Sequence, residues 1–233
     1  MSELGLSLTA IAIFATTLLA LVGPMLGSSP LLPAGLGFGL LVMFSLDSVT
    51  WQGRGATLLI DGIQQRSPEY RQRILHHEAG HYLVATALGL PVTGYTLSAW
   101  QAFQQGQSGR GGVQFQSAEL EAEAAKGQLS QRSLEQWCQV LMAGAAAEQL
   151  VYGNVEGGAD DRAQWQQLWR QLDRNPAEGN LRSRWGLLKA KTLIEQQRLA
   201  YEALVAAMAA KASVEDCNRA IAAAWIEESA LAA

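Results

Sequence analysis

The chain has 233 residues and a formal net charge of −4, with two cysteines, Cys138 and Cys217. This length accommodates one domain of moderate size with extra segments. The absence of a basic cluster argues against a nucleic-acid partner. The wide separation of the cysteines predicts neither a disulfide framework nor a cysteine-based zinc site.

The N-terminal segment carries no charged residue between Glu3 and Asp47. Residues 4–26 are apolar enough and long enough to span a bilayer as a helix. A Gly-Ser-Ser-Pro turn follows, and then a second, shorter candidate span at residues 32–49. We therefore predict a transmembrane hairpin over residues 1–50. A buried core hairpin is the alternative; a cleaved signal peptide fits less well, because no basic region precedes the long apolar run.

The charge distribution predicts the orientation of this hairpin. No Lys or Arg precedes the first span, whereas Arg54, Arg66, Arg71 and Arg73 follow the second. The positive-inside rule then places the rest of the chain on the cytoplasmic side of a plasma membrane, or on the stromal or matrix side in an organelle. Two spans return the N-terminus to that same side.

Residues 51–233 are predicted to form one mainly α-helical domain with a small β element. Residues 56–60 predict a short strand. Residues 92–98 and 112–115 predict a strand pair, with a Gln- and Gly-rich loop over 99–111 between them. That loop fits a flap beside an active site as well as it fits an ordinary hairpin connection.

Helices are predicted through the C-terminal half, and no catalytic motif is visible in most of it. In one of them, Trp165, Leu168, Trp169 and Leu172 form an apolar face. The predicted helices are a short acidic one capped by Ser117, one from Ser130 up to Gly153-Asn154, one from Asp160, one over residues 187–210 and one from Ser213 through Trp225.

The three histidines of the chain all lie within residues 76–81, and His77 and His81 are four residues apart. On a helix these two point the same way, so both imidazoles can bind one zinc ion. Glu78 follows His77, where its carboxylate can take a proton from a zinc-bound water. This H-E-x-x-H pattern predicts a zinc hydrolase, against the simpler interpretation of a solvated helix face.

A helix for this motif is indicated by its flanking residues. Ser67 fits the N-cap and Pro68 the first helical position, while Gly89 and Pro91 favour its end. Gly80 is a poor helix former, and close approach of another backbone or of substrate would explain it. His76 points about 100° away from His77, which favours a structural role.

A zinc hydrolase usually keeps three protein ligands and one open position. Since no further histidine remains, the third ligand should be a carboxylate. Asp161 is the best candidate because it shares the side of its helix that carries Trp165. Asp160 fits a plain N-cap, and Glu148 on the preceding helix is the competitor.

Several further segments resemble the peptidase domain of the FtsH family of membrane-anchored zinc proteases. His-Glu-Ala-Gly-His at 77–81 is the usual form of that family's motif, and the resemblance implies that Asp161 binds the zinc. The similarity covers roughly residues 70–210. The other matching segments are Leu90-Pro91-Val92-Thr93, Gly111-Gly112-Val113, Ala143-Gly144-Ala145-Ala146-Ala147-Glu148, Val151-Tyr152-Gly153, Gly157-Gly158-Ala159-Asp160-Asp161 and Trp185-Gly186.

The chain departs from the family pattern in lacking its ATPase module, and Ala145 and Gln149 replace the usual Arg and second Glu. It resembles the stand-alone relatives of photosynthetic lineages, which implies a thylakoid or plasma membrane location. The resemblance implies unfolded or membrane-protein segments as polypeptide substrates. A homo-oligomer or an FtsH-family partner would fit as the assembly.

The sequence as a whole thus predicts a membrane-anchored zinc metalloendopeptidase in which His77, His81 and Asp161 bind Zn²⁺ and Glu78 is the base. Two other functions stay open. One is a catalytically silent membrane adaptor that keeps the fold. The other is an intramembrane site-2-type protease, which would need an apolar span around the histidines.

Overall fold

The computed structural model describes residues 3–27, 29, 31–50, 54–107, 111–116, 122–123 and 129–231. It is mainly helical with one small sheet, which confirms the prediction of a mainly α-helical chain with a small β element. The predicted acidic helix after Ser117 lies largely outside the described residues. The helices are α1 (Glu3–Val22), α2 (Leu31–Thr50), α3 (Arg54–Gln64), α4 (Pro68–Ala87), α5 (Ala99–Gln104), α6 (Gln131–Leu141), α7 (Ala143–Tyr152), α8 (Ala159–Gln171), α9 (Pro176–Gln196), α10 (Arg198–Ala209) and α11 (Val214–Leu231).

The chain divides into two compact units. The first comprises Met1–Arg66 with Ser98–Arg110, and the second comprises Ser67–Leu97 with Gly111–Ala233. Helices α1, α2, α3 and α5 therefore belong to one unit. The histidine motif and all the remaining elements belong to the other.

In the first unit, α1 and α2 pack as a helical hairpin across a short 3₁₀ turn, Gly23–Leu26. Gly27 closes this turn with φ 76°, a conformation that favours glycine. The hairpin predicted over residues 1–50 is thus present as two helices, and its transmembrane character stays a prediction. Within the described ranges, no helix combines the length and the hydropathy needed to cross a membrane.

Two local predictions in the first unit were wrong. Residues 56–60 form part of helix α3 and not a strand, because a short apolar run does not by itself distinguish the two structures. The segment 99–111, predicted as a loop, begins with helix α5. Its first turn is capped twice: Ser98 Oγ accepts the Gln101 N–H, and Asp61 Oδ2 accepts the Ala99 N–H at 2.8 Å.

The second unit is built around α4. As predicted, Ser67 caps this helix by accepting the Tyr70 N–H, and Pro68 is its first residue. Most side chains of its C-terminal half are buried, and it packs against α7 and α10. The predicted strand pair is also present, shorter than expected, as β1 (Val92–Tyr95) and β2 (Val113–Phe115) in an antiparallel sheet.

Two predictions of helix bounds in the second unit were wrong. The helix predicted from Ser130 up to Gly153-Asn154 is interrupted at Met142, which separates α6 from α7. The helix predicted over 187–210 begins earlier, after an Asn175 cap, and is broken at Gln197. The predicted apolar face of α8 is present, with Trp165, Leu168 and Trp169 buried.

Gly80 lies where α4 crosses α7 most closely. A Cβ atom at this position would come within 2.6 Å of the Ala143 carbonyl oxygen and 2.7 Å of the Ala147 Cβ. Both distances are far below normal contact, so the close backbone approach expected from the sequence is present. The missing side chain at Gly80 allows α7 to lie directly against the histidine turn of α4.

We predict that Gly80→Ala lowers the free energy of unfolding by about 1–3 kcal/mol, because the clash with the α7 backbone outweighs the gain in helix propensity. Gly62→Ala is the matched control, since Gly62 lies in a helix and a Cβ atom added there would meet no atom within 4 Å. It should be neutral or stabilising by up to about 1 kcal/mol. Urea unfolding in the presence of a chelator measures both variants, and equal effects would contradict the packing argument.

Candidate metal centre

Two helices bring three candidate ligand atoms together. His77 and His81, one turn apart on α4, place their Nε2 atoms 3.1 Å from each other. Asp161, in the first turn of α8, places Oδ2 3.3 Å from the His77 Nε2 and 3.5 Å from the His81 Nε2. These three atoms form what we call the ligand triangle, and they could hold one metal ion.

The size of the ligand triangle suits a tetrahedral metal site. Nitrogen and oxygen ligands bound to Zn²⁺ at about 2.0–2.1 Å lie about 3.3 Å apart in a tetrahedron. The three observed separations, 3.1, 3.3 and 3.5 Å, bracket that value. Two imidazoles and a carboxylate also suit other first-row divalent ions, so the identity of the metal as zinc stays a prediction.

Hydrogen bonds on the far side of each imidazole orient its Nε2 toward the triangle. His81 Nδ1 lies 2.8 Å from the Val140 carbonyl oxygen, which can only accept, so the proton is on Nδ1. His77 Nδ1 lies 2.7 Å from Glu148 Oε1, which acts in the same way. The neutral tautomers therefore direct both Nε2 lone pairs at Asp161, an arrangement that calls for a cation between them.

Glu148, the competing candidate for third ligand, is instead a partner of His77. Its side chain is 1% exposed, and its oxygens accept hydrogen bonds from Arg73 at 2.9 Å and from the Glu156 N–H at 2.8 Å. The Gly157 N–H also donates to it, at 3.1 Å. Burial alone would raise the pKa of Glu148, but the hydrogen bonds from His77, Glu156 and Arg73 outweigh it and bring that pKa to about 2.

The start of α8 separates the two neighbouring aspartates. The N-cap is Gly158, with φ 71°, so the N-cap role predicted for Asp160 was wrong. Asp160 is exposed, whereas Asp161 points into the ligand triangle. Burial would raise the pKa of Asp161, but the adjacent His81 and His77 hold it far below its ordinary range.

The electrostatics of the triangle favour positive charge at its centre. Burial by itself lowers the pKa of His77, yet its hydrogen bonds to Asp161 and Glu148 outweigh burial and raise that pKa to about 10. Without a metal, a proton would therefore supply the charge. A divalent cation can replace this proton, because the carboxylates are ionised and the Nε2 atoms of His77 and His81 are already oriented toward the triangle.

Glu78 lies beside the ligand triangle and is not part of it. Its Oε2 accepts the N–H of Val113, the first residue of β2, at 3.0 Å. Burial raises the pKa of Glu78, although the nearby His81 and His77 oppose that rise. A partly buried carboxylate with a raised pKa, placed against a strand edge, is suited to accept a proton.

His76, the third histidine, points elsewhere, as predicted. Its Nδ1 lies 2.9 Å from the Tyr201 hydroxyl, and that hydroxyl donates to the His76 carbonyl oxygen. The contact joins α4 to α10. His76 therefore has a structural role and contributes no ligand atom to the triangle.

Sequence reasoning missed the residues that leave room for the site. A Cβ at Gly144 would lie 2.3 Å from the His77 Nε2, and a Cβ at Gly157 would lie 2.3 Å from Glu148 Oε1. Arg73 was noted only for its charge. The small residues at 143–147 allow close packing, and the tertiary fold decides that the neighbour is α4.

Comparison with known proteins gives no family assignment. No protein-family model matches the chain, and no curated protein matches it. The FtsH resemblance therefore rests on the matching segments and their order.

We predict that Asp161→Asn weakens Zn²⁺ binding much more than Asp160→Asn does, because a neutral amide is a poorer zinc ligand than a carboxylate. The two substitutions are chemically identical and adjacent, so each controls for the other. Competition with a chromogenic chelator measures both affinities. Equal losses, or a loss confined to the Asp160 variant, would contradict the assignment of Asp161 as a ligand.

We also predict that Glu148→Gln lowers Zn²⁺ affinity by about 10–100-fold, because the amide orients His77 less firmly and lacks the charge that pairs with Arg73. Glu156→Gln is the matched control, since Glu156 contacts the same Arg73 at 3.1 Å but is exposed and does not touch a histidine. Its affinity should stay close to that of the parent. Comparable losses in both variants would show that Arg73, and not the His77 contact, carries the effect.

Proposed function

We propose that this chain is a membrane-anchored zinc metalloendopeptidase similar to the FtsH-family peptidases, which hydrolyses peptide bonds. The convergence of His77 Nε2, His81 Nε2 and Asp161 Oδ2 on one point carries the proposal. The third ligand comes from a separate helix, far beyond the second histidine in the chain. A solvated helix face would not bring a distant carboxylate to both imidazoles.

In the proposed enzyme, some residues bind the metal ion and another transfers a proton. His77, His81 and Asp161 would hold the metal, with Glu148 and the Val140 carbonyl orienting the imidazoles. When bound, zinc supplies Lewis-acid chemistry, polarising the scissile carbonyl and lowering the pKa of water. The Glu78 carboxylate would accept the proton of the attacking water and deliver it to the leaving amine nitrogen.

The silent-adaptor alternative predicts that the fold persists while the chemistry is lost. Such a chain has no need of an ionised Glu148 buried behind His77, or of glycines at 144 and 157 that clear space for this contact. A buried charged network of this kind is costly unless it serves a site. The completeness of the network therefore supports an enzyme.

The intramembrane alternative is disfavoured by the helix that carries the motif. Arg73 lies one turn before His77 on α4, where it forms ion pairs with Glu148 and Glu156. Glu156 is largely exposed, so this end of α4 carries a solvated ionic cluster. Hydrocarbon surroundings would make that cluster expensive.

Membrane anchoring would come from the α1–α2 hairpin. Its described apolar side chains are exposed in large number, among them Phe14 and Phe38. Exposed apolar surface of this extent is typical of a membrane or protein interface. The peptidase unit would then lie on the cytoplasmic or stromal side, where polypeptide segments or an FtsH-family partner could reach it.

We predict that Glu78→Gln leaves the zinc content of the purified protein unchanged but lowers peptidase activity at least about 100-fold, because the amide accepts the Val113 N–H yet cannot take a proton. The measurements are metal analysis and cleavage of an unfolded fluorogenic protein. The Glu156→Gln variant serves as the control and should retain activity. Loss of zinc from the Glu78 variant would make Glu78 a ligand, and undiminished activity would remove it from the mechanism.

A further inference from the structure

Helix α5 in the first unit buries its small side chains and exposes its large apolar ones, the reverse of what is expected for a helix in water. Its small side chains, Ala99 and Ala102, are buried, whereas its two aromatic side chains are exposed. Trp100 is 57% exposed and Phe103 is 46% exposed. Their rings stack on each other with centroids 5.8 Å apart. A helix in water would bury the aromatic rings first, since they gain most from burial.

The helix that carries the exposed Trp100 and Phe103 is held in place by hydrogen bonds. Asp61 of α3, whose side chain is buried, accepts the Ala99 N–H at 2.8 Å and so ties the first turn of α5 to α3. Ser98 caps the same turn through the Gln101 N–H. The two helices also pack against each other. The aromatic pair is therefore presented by α3 on a rigid support.

Helix α3 adds apolar surface and positive charge to the same unit. Leu59 and Ile63, one turn apart on one side of this helix, are both exposed. Its one acidic residue, Asp61, is buried, while Arg54 begins the helix and the exposed Arg66 follows it. An exposed arginine beside α3 is complementary to anionic lipid headgroups.

The exposed side chains of α1 and α2 indicate what kind of surroundings the exposed residues of α3 and α5 suit. The exposed apolar residues of α1 and α2 lie on more than one side of each helix, as the consecutive Ile13 and Phe14 or the alternating Leu36 and Phe38 illustrate. A protein partner covers one side of a helix, whereas lipid covers all free sides. Aromatic side chains next to apolar helices and arginines are typical of the membrane interface.

We propose that α3 and α5 form a lipid-contacting platform, in which Trp100 and Phe103 enter the boundary between headgroups and acyl chains of an anionic bilayer. Leu59 and Ile63 would add apolar contact, and Arg66 would meet the headgroups. The proposal rests on the membrane attachment in the proposed function and adds a second contact to it. It assigns helix α5 to the membrane, whereas the sequence left a flap and an ordinary hairpin loop as alternatives for residues 99–111.

Site-specific labelling tests this platform on the full chain in vesicles of phosphatidylcholine and phosphatidylglycerol. Gln104→Cys keeps both aromatic residues and places an environment-sensitive fluorophore one turn after Trp100. Lys189→Cys is the matched control, since it lies one turn after Trp185, which is 56% exposed in the second unit. Phe38→Cys reports on the hairpin. The native cysteines should stay unlabelled, because both are buried and burial raises the pKa of Cys138 to about 12.

Lipids with a quencher on the upper acyl chain should reduce emission severalfold at positions 104 and 38 but not at 189. Replacing Trp100 and Phe103 together by Ser should abolish quenching at 104 and leave it at 38, whereas Trp185→Ser should change neither. Vesicles of phosphatidylcholine alone should give weaker quenching at 104.

Quenching at 38 without quenching at 104 would overturn the platform and leave membrane attachment standing. Absence of quenching at both positions would overturn the platform together with the attachment, and a protein partner would then be the occupant of this face. Equal quenching at 104 and 189 would also overturn the proposal. Zinc content is measured on every labelled protein, so failure of the metal centre is recorded separately from failure of the lipid contact.

Discussion

The contact between Glu148 and His77 is the interaction on which the geometry of the ligand triangle depends. One buried carboxylate orients the imidazole of α4, pairs with Arg73 one turn earlier and accepts the N–H groups of Glu156 and Gly157. It therefore joins the motif helix, helix α7 and the loop that leads to α8. Because Asp161 lies shortly after Gly157, the same carboxylate that orients the first ligand also holds the loop that positions the third.

This contact exists only because residues without side chains let the elements approach. Gly80 allows the α7 backbone to cross α4 at the histidine turn, Gly144 leaves space for the His77 ring, and Gly157 leaves space for the Glu148 carboxylate. A larger side chain at any of these positions would push a ligand or its partner aside. The cost in helix propensity at Gly80, about 1 kcal/mol, is thus offset by a site that could not otherwise close.

The two units of the chain differ in where they place large apolar side chains. In the second unit, aromatic and aliphatic side chains are buried around α4 and α8, and the few buried charges are matched by partners. In the first unit, large apolar side chains are exposed while Asp61 is buried to hold α5. The proposed contact of the first unit with lipid would account for this exposed apolar surface.

Local sequence determined the elements whose signals lie within one turn. Helix caps act through hydrogen bonds between near neighbours, and the structure contains those at Ser67 (with Pro68), Ser130 and Ser213. The spacing of His77 and His81 acts through helix geometry in the same local way. The same signals misassigned residues 56–60 and missed the helix breaks at Met142 and Gln197, since a short apolar run or an alanine-rich stretch has no local feature that favours one outcome.

The tertiary structure decided what those elements do together. The helix-face pattern favoured Asp161 as the third ligand, with Glu148 as the competitor, and packing decides where each carboxylate lies. Asp161 enters the ligand triangle, Asp160 faces solvent, and Glu148 lies behind His77. The tertiary structure also decided that residues 99–104 form a helix fixed to α3. The Ala99 N–H of this helix donates a hydrogen bond to Asp61, 38 residues earlier in the chain. Contacts between residues so far apart have no local signature, because they depend on how complete helices pack and not on the order of neighbouring residues.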